Sequence, residues 1–142
     1  MKSDFDKFAE EIQGDIIDNA RKRYSEIVID HWLHPRNFGK LEKADAYGRI
    51  TGPCGDTMEI FLYIKDNKIV DCHFLSDGCG TSVVCGSIVT ELAKGKTIKE
   101  AKEISKGSVL KACGGLPKED EHCALLASNT LIEAIENYED QN

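Results

Sequence analysis

The chain has 142 residues, of which 41% are hydrophobic and 30% charged, values of a globular domain that exclude wholesale disorder. Its 25 acidic and 18 basic residues leave a net charge of −7, a sign that disfavours nonspecific binding to nucleic acid. No apolar run approaches the roughly 18 residues of a membrane span. Asp4, Asp6, Glu10 and Glu11 stand where a signal peptide would be apolar, so a cytoplasmic, reducing setting is expected.

From Phe5 to about Leu33 the apolar residues Phe5, Phe8, Ile12, Ile16, Ala20, Tyr24, Ile27 and Val28 recur at steps of three and four. That spacing marks one helical face, and it fits either one long helix or two shorter ones. His34-Pro35 ends the run, because the residue before proline is driven out of the helical region. Residues 36 to 57 are rich in glycine and read as loop, with a short strand around Tyr47 to Thr51. Met58 to Lys65 and Lys68 to Leu75 read as a hairpin turned at Asp66-Asn67. Ile60, Leu62 and Ile64 alternate, whereas Ile69, Cys72 and Phe74 do not alternate cleanly. Beyond Gly78 the pattern is helical at Thr81 to Lys94, at Ile98 to Ile104 and at His122 to Tyr138, with a short turn near Val109. The expected fold is one α+β domain: a small antiparallel sheet packed against helices.

Six cysteines in a reducing setting point to metal, sulfur or catalytic chemistry, or to small buried hydrophobes, rather than to disulfides. Cys54 lies between glycines in Gly52-Pro53-Cys54-Gly55-Asp56, where a turn at Gly55 can return the Asp56 carboxylate towards the same point. Alone, that pattern fits an incidental turn cysteine equally well. Cys79, in Gly78-Cys79-Gly80, precedes a helix whose N-terminal dipole favours thiolate. His122-Cys123 opens the last helix and offers two good ligands. Helix neighbours diverge by about 100°, so both are expected to reach one ion only if His122 precedes regular helix. Together these positions supply three thiols, one imidazole and one carboxylate. The 24 residues between Cys54 and Cys79 and the 43 between Cys79 and Cys123 match no zinc finger, so tertiary structure must assemble the site. Cys72 in a strand and Cys85 in a helix read as core. Cys113, in Ala112-Cys113-Gly114-Gly115, reads as a loop cysteine, either a spare thiol or a structural one.

These residues resemble the iron–sulfur cluster assembly scaffolds of the IscU/NifU N-terminal type. The resembling segments are Tyr24-Ser-Glu-Ile-Val-Ile-Asp-His31, Pro35-Arg36-Asn37, Cys54-Gly55-Asp56, Gly78-Cys79-Gly80, Val89-Thr90-Glu91-Leu92-Ala93-Lys94-Gly95-Lys96 and His122-Cys123, in family order. The resemblance implies a three-stranded antiparallel sheet and a non-catalytic scaffold that assembles a transient cluster, usually [2Fe–2S], for transfer to apoproteins. It implies Cys54, Cys79 and Cys123 as thiolate ligands, Asp56 as a labile oxygen ligand and His122 as an alternative or neighbouring one. Cys123 would also accept persulfide sulfur from a cysteine desulfurase. Iron, an iron or electron donor, and zinc at the same site belong to the same set of expectations. Two rival functions remain open: a zinc-binding regulatory protein, and a sulfurtransferase acting through a Cys123 persulfide. His122 and the compact length side with IscU rather than with SufU-like relatives.

Three features depart from the pattern. Residues 1 to 23 form a helical extension ahead of a scaffold domain at 24 to 142, and their apolar stripe must be covered by the domain itself or by self-association. The family's chaperone motif Leu-Pro-Pro-Val-Lys is here Leu116-Pro117-Lys118-Glu119-Asp120, which argues against a dedicated Hsp70-type chaperone. Where the family has lysine, Asp120 stands between Glu119 and Glu121, an acidic run expected to disfavour thiolate at Cys123.

Overall fold

The structure is a computed structural model that describes residues 4–53, 55–78 and 80–141. Its organising element is the hairpin. Strands β2 (Thr57–Lys65) and β3 (Lys68–Ser76) meet at Asp66 and Asn67, whose φ angles of 54° and 64° are those of a type I′ turn. That turn matches the right-handed twist of the strands it joins. Strand β1 (Ala46–Thr51) pairs antiparallel with β2, giving the sheet order β1-β2-β3.

Met58, Ile60, Leu62 and Ile64 alternate along β2 onto the covered face and are buried. In β3 the alternation breaks because Tyr63 pairs with Asp71 while Ile64 pairs with Ile69, leaving Val70 as a bulge residue. The extra residue shifts the phase by one position. Ile69, Cys72 and Phe74 thereby reach the core together, while Val70 is 54% exposed.

Helices cover one face of this sheet. The amphipathic run at the start of the chain forms two helices, α1 (Asp4–Ala20) and α2 (Glu26–Leu33). The break is fixed by Ser25, whose hydroxyl oxygen accepts from Val28 N–H as an N-cap. Helix α3 (Gly80–Ala93) packs on β3, and the ring of Phe74 lies where a Cβ on Gly86 would be, 2.3 Å away. Helix α4 is shorter than its sequence pattern, Ile98–Ala101. It is closed at the front by a capping box between Thr97 and Glu100 and stops before Ile104.

The turn expected near Val109 is instead a helix, α5 (Lys106–Cys113), capped by Ser105 and ended by left-handed Gly114. Cys113 is therefore the last residue of a helix and buried, not a loop thiol. A 3₁₀ turn at Lys118–Asp120 leads into α6 (Glu121–Gln141). Among the described residues, no helix is long and apolar enough to cross a membrane.

Helix α6 runs antiparallel to β1 and very close to it. A Cβ on Gly48 would lie 2.5 Å from the backbone N of Ala134, so the contact is backbone against helix. Asn137 donates to the Tyr47 carbonyl at 2.8 Å, and Leu126 lies over Gly52.

Helices α2 and α3 are tied through Ser87, whose buried hydroxyl meets His31 Nδ1 at 2.7 Å and accepts from Arg36 N–H at 2.9 Å. Burial, seconded by the Arg36 charge, holds His31 below its ordinary 6.5, so the neutral ring accepts the Ser87 proton. A depressed histidine contributes stability that is present above the unfolded value and lost as pH falls through the folded one. His31→Gln is therefore expected to flatten the loss of stability to urea as pH falls below about 6.5. Equal slopes in the two proteins would show that His31 does not set that limb.

Candidate metal centre

Three connections meet at one end of the sheet: the β1–β2 loop, the β3–α3 junction and the start of α6. The first is a tight turn in which Gly52 N–H donates to the Asp56 carbonyl at 2.8 Å and Gly55 N–H to the Gly52 carbonyl at 3.0 Å. Gly55 has φ 89°, a left-handed conformation that a side chain would strain. This is the return of Asp56 that the glycine spacing anticipates.

The Asp56 carboxylate comes together with His122 and Cys123, with one ligand atom of each within 4.8 Å of the others. His122 lies inside α6 rather than before it, yet it still reaches its neighbour's sulfur. The reason is its ring orientation. Nδ1 lies 2.9 Å from the Glu119 carbonyl oxygen, and with Nδ1–H donating there, Nε2 is directed at Cys123 Sγ, 3.6 Å away. Two ligands of a tetrahedral zinc, with Zn–S ≈ 2.3 Å and Zn–N ≈ 2.0–2.1 Å, stand about 3.5 Å apart. The imidazole and the thiol are already at that spacing, and the carbonyl-anchored Nδ1 is the support that metal-ligating histidines use. The donor set of thiol, imidazole and carboxylate suits zinc or iron. Cys123 is fully buried and His122 is exposed. Cys54 and Cys79, the other two thiols expected here, lie outside the described residues.

A further member was not anticipated from sequence. Ser82, in the first turn of α3 and fully buried, donates to Asp56 Oδ2 at 3.1 Å and lies 3.5 Å from Cys123 Sγ. Gly78 makes this meeting sterically feasible. A Cβ there would lie 2.7 Å from Ser82 Oγ and 2.8 Å from Asp56 Oδ2.

The other cysteines are elsewhere. Cys72 and Cys85 are buried among the apolar residues of the core, as expected. Burial pushes the Cys72 thiol far above its ordinary value and also raises that of Cys113. The Cys113 thiol donates to the Leu110 carbonyl at 3.3 Å.

The acidic run before His122 is not a bare solvated face. Glu119 pairs with Arg23, Asp120 accepts from the Tyr24 hydroxyl at 2.7 Å, and Glu121 pairs with Lys106 at 3.5 Å. Two cations and a phenol thus offset the negative field that the sequence suggests at Cys123, and they strap residues 23 and 24 to the segment carrying the ligands. Hydrogen bonding to Asp120, followed by burial, raises Tyr24 above 10.0. A raised group contributes stability that is complete below its unfolded value and lost as pH rises through the folded one. Tyr24→Phe is expected to lower stability by about 1 kcal/mol at neutral pH, with the gap closing above about pH 10. A urea midpoint equal to that of the wild type at pH 7 would show that the strap carries no stability.

Comparison with known proteins identifies the family and the fold. The NifU-like N-terminal domain family matches residues 23–142. The chain is 47% identical over 116 residues to the iron–sulfur cluster assembly scaffold protein IscU 1 of Archaeoglobus fulgidus, covering 81% of this chain and 76% of that one. It is 38% identical to the IscU scaffold of Haemophilus influenzae, covering 81% and 94%. Among solved structures, the N-terminal part of a NifU-like protein from Brucella abortus superposes with a TM-score of 0.64 at 17% identity, covering 83% of this chain and 95% of that one. The SUF-system protein FiSufU of Fervidobacterium islandicum does so at 0.66 and 23%, covering 79% and 96%. At those identities the structures speak to fold alone, and the fold is shared. The sequence matches over most of the chain settle the family: this protein belongs to the NifU-like N-terminal domain family, among relatives named as IscU scaffolds.

Proposed function

We propose that this protein is a scaffold on which iron and persulfide sulfur are built into a [2Fe–2S] cluster that is then passed to apoproteins. The observation that carries this reading is the convergence of Asp56 with His122 and Cys123 from two chain segments, in a chain 47% identical to a protein named as an iron–sulfur cluster assembly scaffold. The cluster is cargo, not a resident cofactor. Its ligands in this reading are Cys123 and Asp56, joined by Cys54 and Cys79 on the strength of the sequence resemblance, with His122 beside them. Thiolates are the usual ligands of iron–sulfur clusters. A hard carboxylate binds the same irons less tightly than a fourth thiolate, which suits a cluster that must leave.

Sulfur arrives from a cysteine desulfurase. The Cys123 thiol gives up its proton, its sulfur attacks the outer sulfur of the donor's persulfide, and a new S–S bond forms as the donor's S–S bond breaks. The donor departs as a thiolate. Conversion of that persulfide sulfur to sulfide takes two electrons per sulfur, which an electron-donor partner supplies. Because Cys123 has no exposed surface, the donor must uncover it, and the exposed His122 ring beside it is the natural point of displacement. Residues 1–23 are read as an extension ahead of the scaffold domain at 24–142. Its Ile16 is 49% exposed, so a second copy of the chain is the favoured cover. A second reading, a zinc-holding regulatory protein, is favoured by the 3.6 Å spacing of thiol and imidazole.

Anaerobic reconstitution with ferrous iron and sulfide separates these readings. A scaffold gains visible absorption and the Mössbauer doublet of a [2Fe–2S] centre. Both are lost in Cys123→Ala and kept in Cys72→Ala and Cys85→Ala. Asp56→Ala is expected to slow release to a chelator several-fold. A protein that stays colourless while binding zinc tightly would favour the regulatory reading. Faster release from Asp56→Ala would mean that the carboxylate holds the cargo rather than frees it.

A further inference from the structure

The Ser82 hydroxyl is placed between two ligand atoms that belong to different segments. It lies 3.1 Å from Asp56 Oδ2 and 3.5 Å from Cys123 Sγ. A hydroxyl carries a single proton, so it donates to one of these acceptors at a time and stays within reach of the other. The side chain is fully buried, which keeps water from competing for either bond. Its carrier is rigid: α3 runs 14 residues and is locked to the sheet where Phe74 meets Gly86. By contrast, Asp56 rides on a glycine turn. The absence of a side chain at Gly78 is what lets the hydroxyl and the carboxylate meet, since a Cβ would stand under 3 Å from both.

We propose that Ser82 is a positioning residue of the metal centre, its hydroxyl fixing the Asp56 carboxylate beside Cys123 so that both address one ion. This rests on the reading of Asp56 and Cys123 as ligands given above. Groups that orient ligands from outside the coordination sphere are typically worth 10–100-fold in metal affinity. Ser82 does this from the neighbouring helix, and it makes the β1–β2 loop a ligand-bearing loop of fixed aim.

The test is zinc affinity, measured on the full chain by competition with a chromophoric chelator, for wild type, Ser82→Ala, Ser82→Thr and Cys123→Ser. Urea unfolding of each metal-free protein accompanies it. Expected is a loss of at least tenfold in Ser82→Ala, with recovery in Ser82→Thr, which restores the hydroxyl, and with metal-free stabilities that do not follow the same order. Wild-type zinc binding that depends on Cys123 but is unchanged in Ser82→Ala would overturn the Ser82 role alone. Equal weakening in the Ala and Thr variants would also overturn it, since packing rather than the hydroxyl would then be responsible. Wild-type zinc binding indifferent to Cys123→Ser would overturn this proposal together with the ligand assignment beneath it.

Discussion

The close approach of α6 to β1 is the constraint on which the rest of the site depends. Gly48 lets the helix backbone at Ala134 come as near as a side chain would, and from there the two elements run in opposite directions. Gly52 faces Leu126 at the other end of the contact. Four strand residues at their usual rise span roughly 13 Å, and eight helical residues roughly 12 Å. The two elements therefore stay in step along the contact. They reach the end of the sheet together, strand entering the Asp56 turn as helix begins at His122-Cys123. The meeting of a loop carboxylate with a helix-start thiol 67 positions away in sequence follows from that matched geometry.

The same end is closed from two other sides. The β3–α3 junction brings Gly78 and Ser82 against Asp56, and the bond from Nδ1 to the Glu119 carbonyl fixes the His122 ring. From outside, Arg23 and Tyr24 hold the 3₁₀ turn that leads into α6. Ser25 adds to this anchorage, donating to the Cys113 carbonyl while capping α2. The exposed pairs contribute little singly, but they converge on the few residues that set the direction in which α6 starts. Each side chain is thus aimed by one neighbour, His122 by the Glu119 carbonyl and Asp56 by the Ser82 hydroxyl.

Much of this was legible in the sequence, and the failures have physical causes. Asp66-Asn67 between apolar runs gave the hairpin. The broken alternation at Ile69 and Cys72 was a true sign of the Val70 bulge, although the pattern alone does not name the extra residue. Helix α5 escaped because Gly107 lowers its propensity and because its capping box closes with Ser108 in place of the usual glutamate or glutamine. Local chemistry picks out Asp56, His122 and Cys123 and points to one site built by tertiary structure, and the resemblance adds the expectation of a cluster. Ser82 carries no signal in the sequence, because a serine in a helix first turn is ordinary until tertiary structure shows what stands opposite it. Charge alone misses partners that other elements bring in, Arg23 from 96 positions away and Lys106 from α5. His122 stands inside the helix, yet its ring approaches the Cys123 sulfur, because the length and hydrogen bonding of the imidazole add to what the backbone direction sets.

In the proposed centre one ion, at the end of the sheet, is held by groups from both the β1–β2 loop and the start of α6. A crystal structure of the zinc-loaded protein with anomalous diffraction at the zinc edge tests it most directly. Expected is one strong peak within about 2.0–2.3 Å of Cys123 Sγ and of Asp56 or His122, with α6 still seated on Gly48. A zinc peak bound away from Cys123, or one held by residues of a single segment, would contradict it.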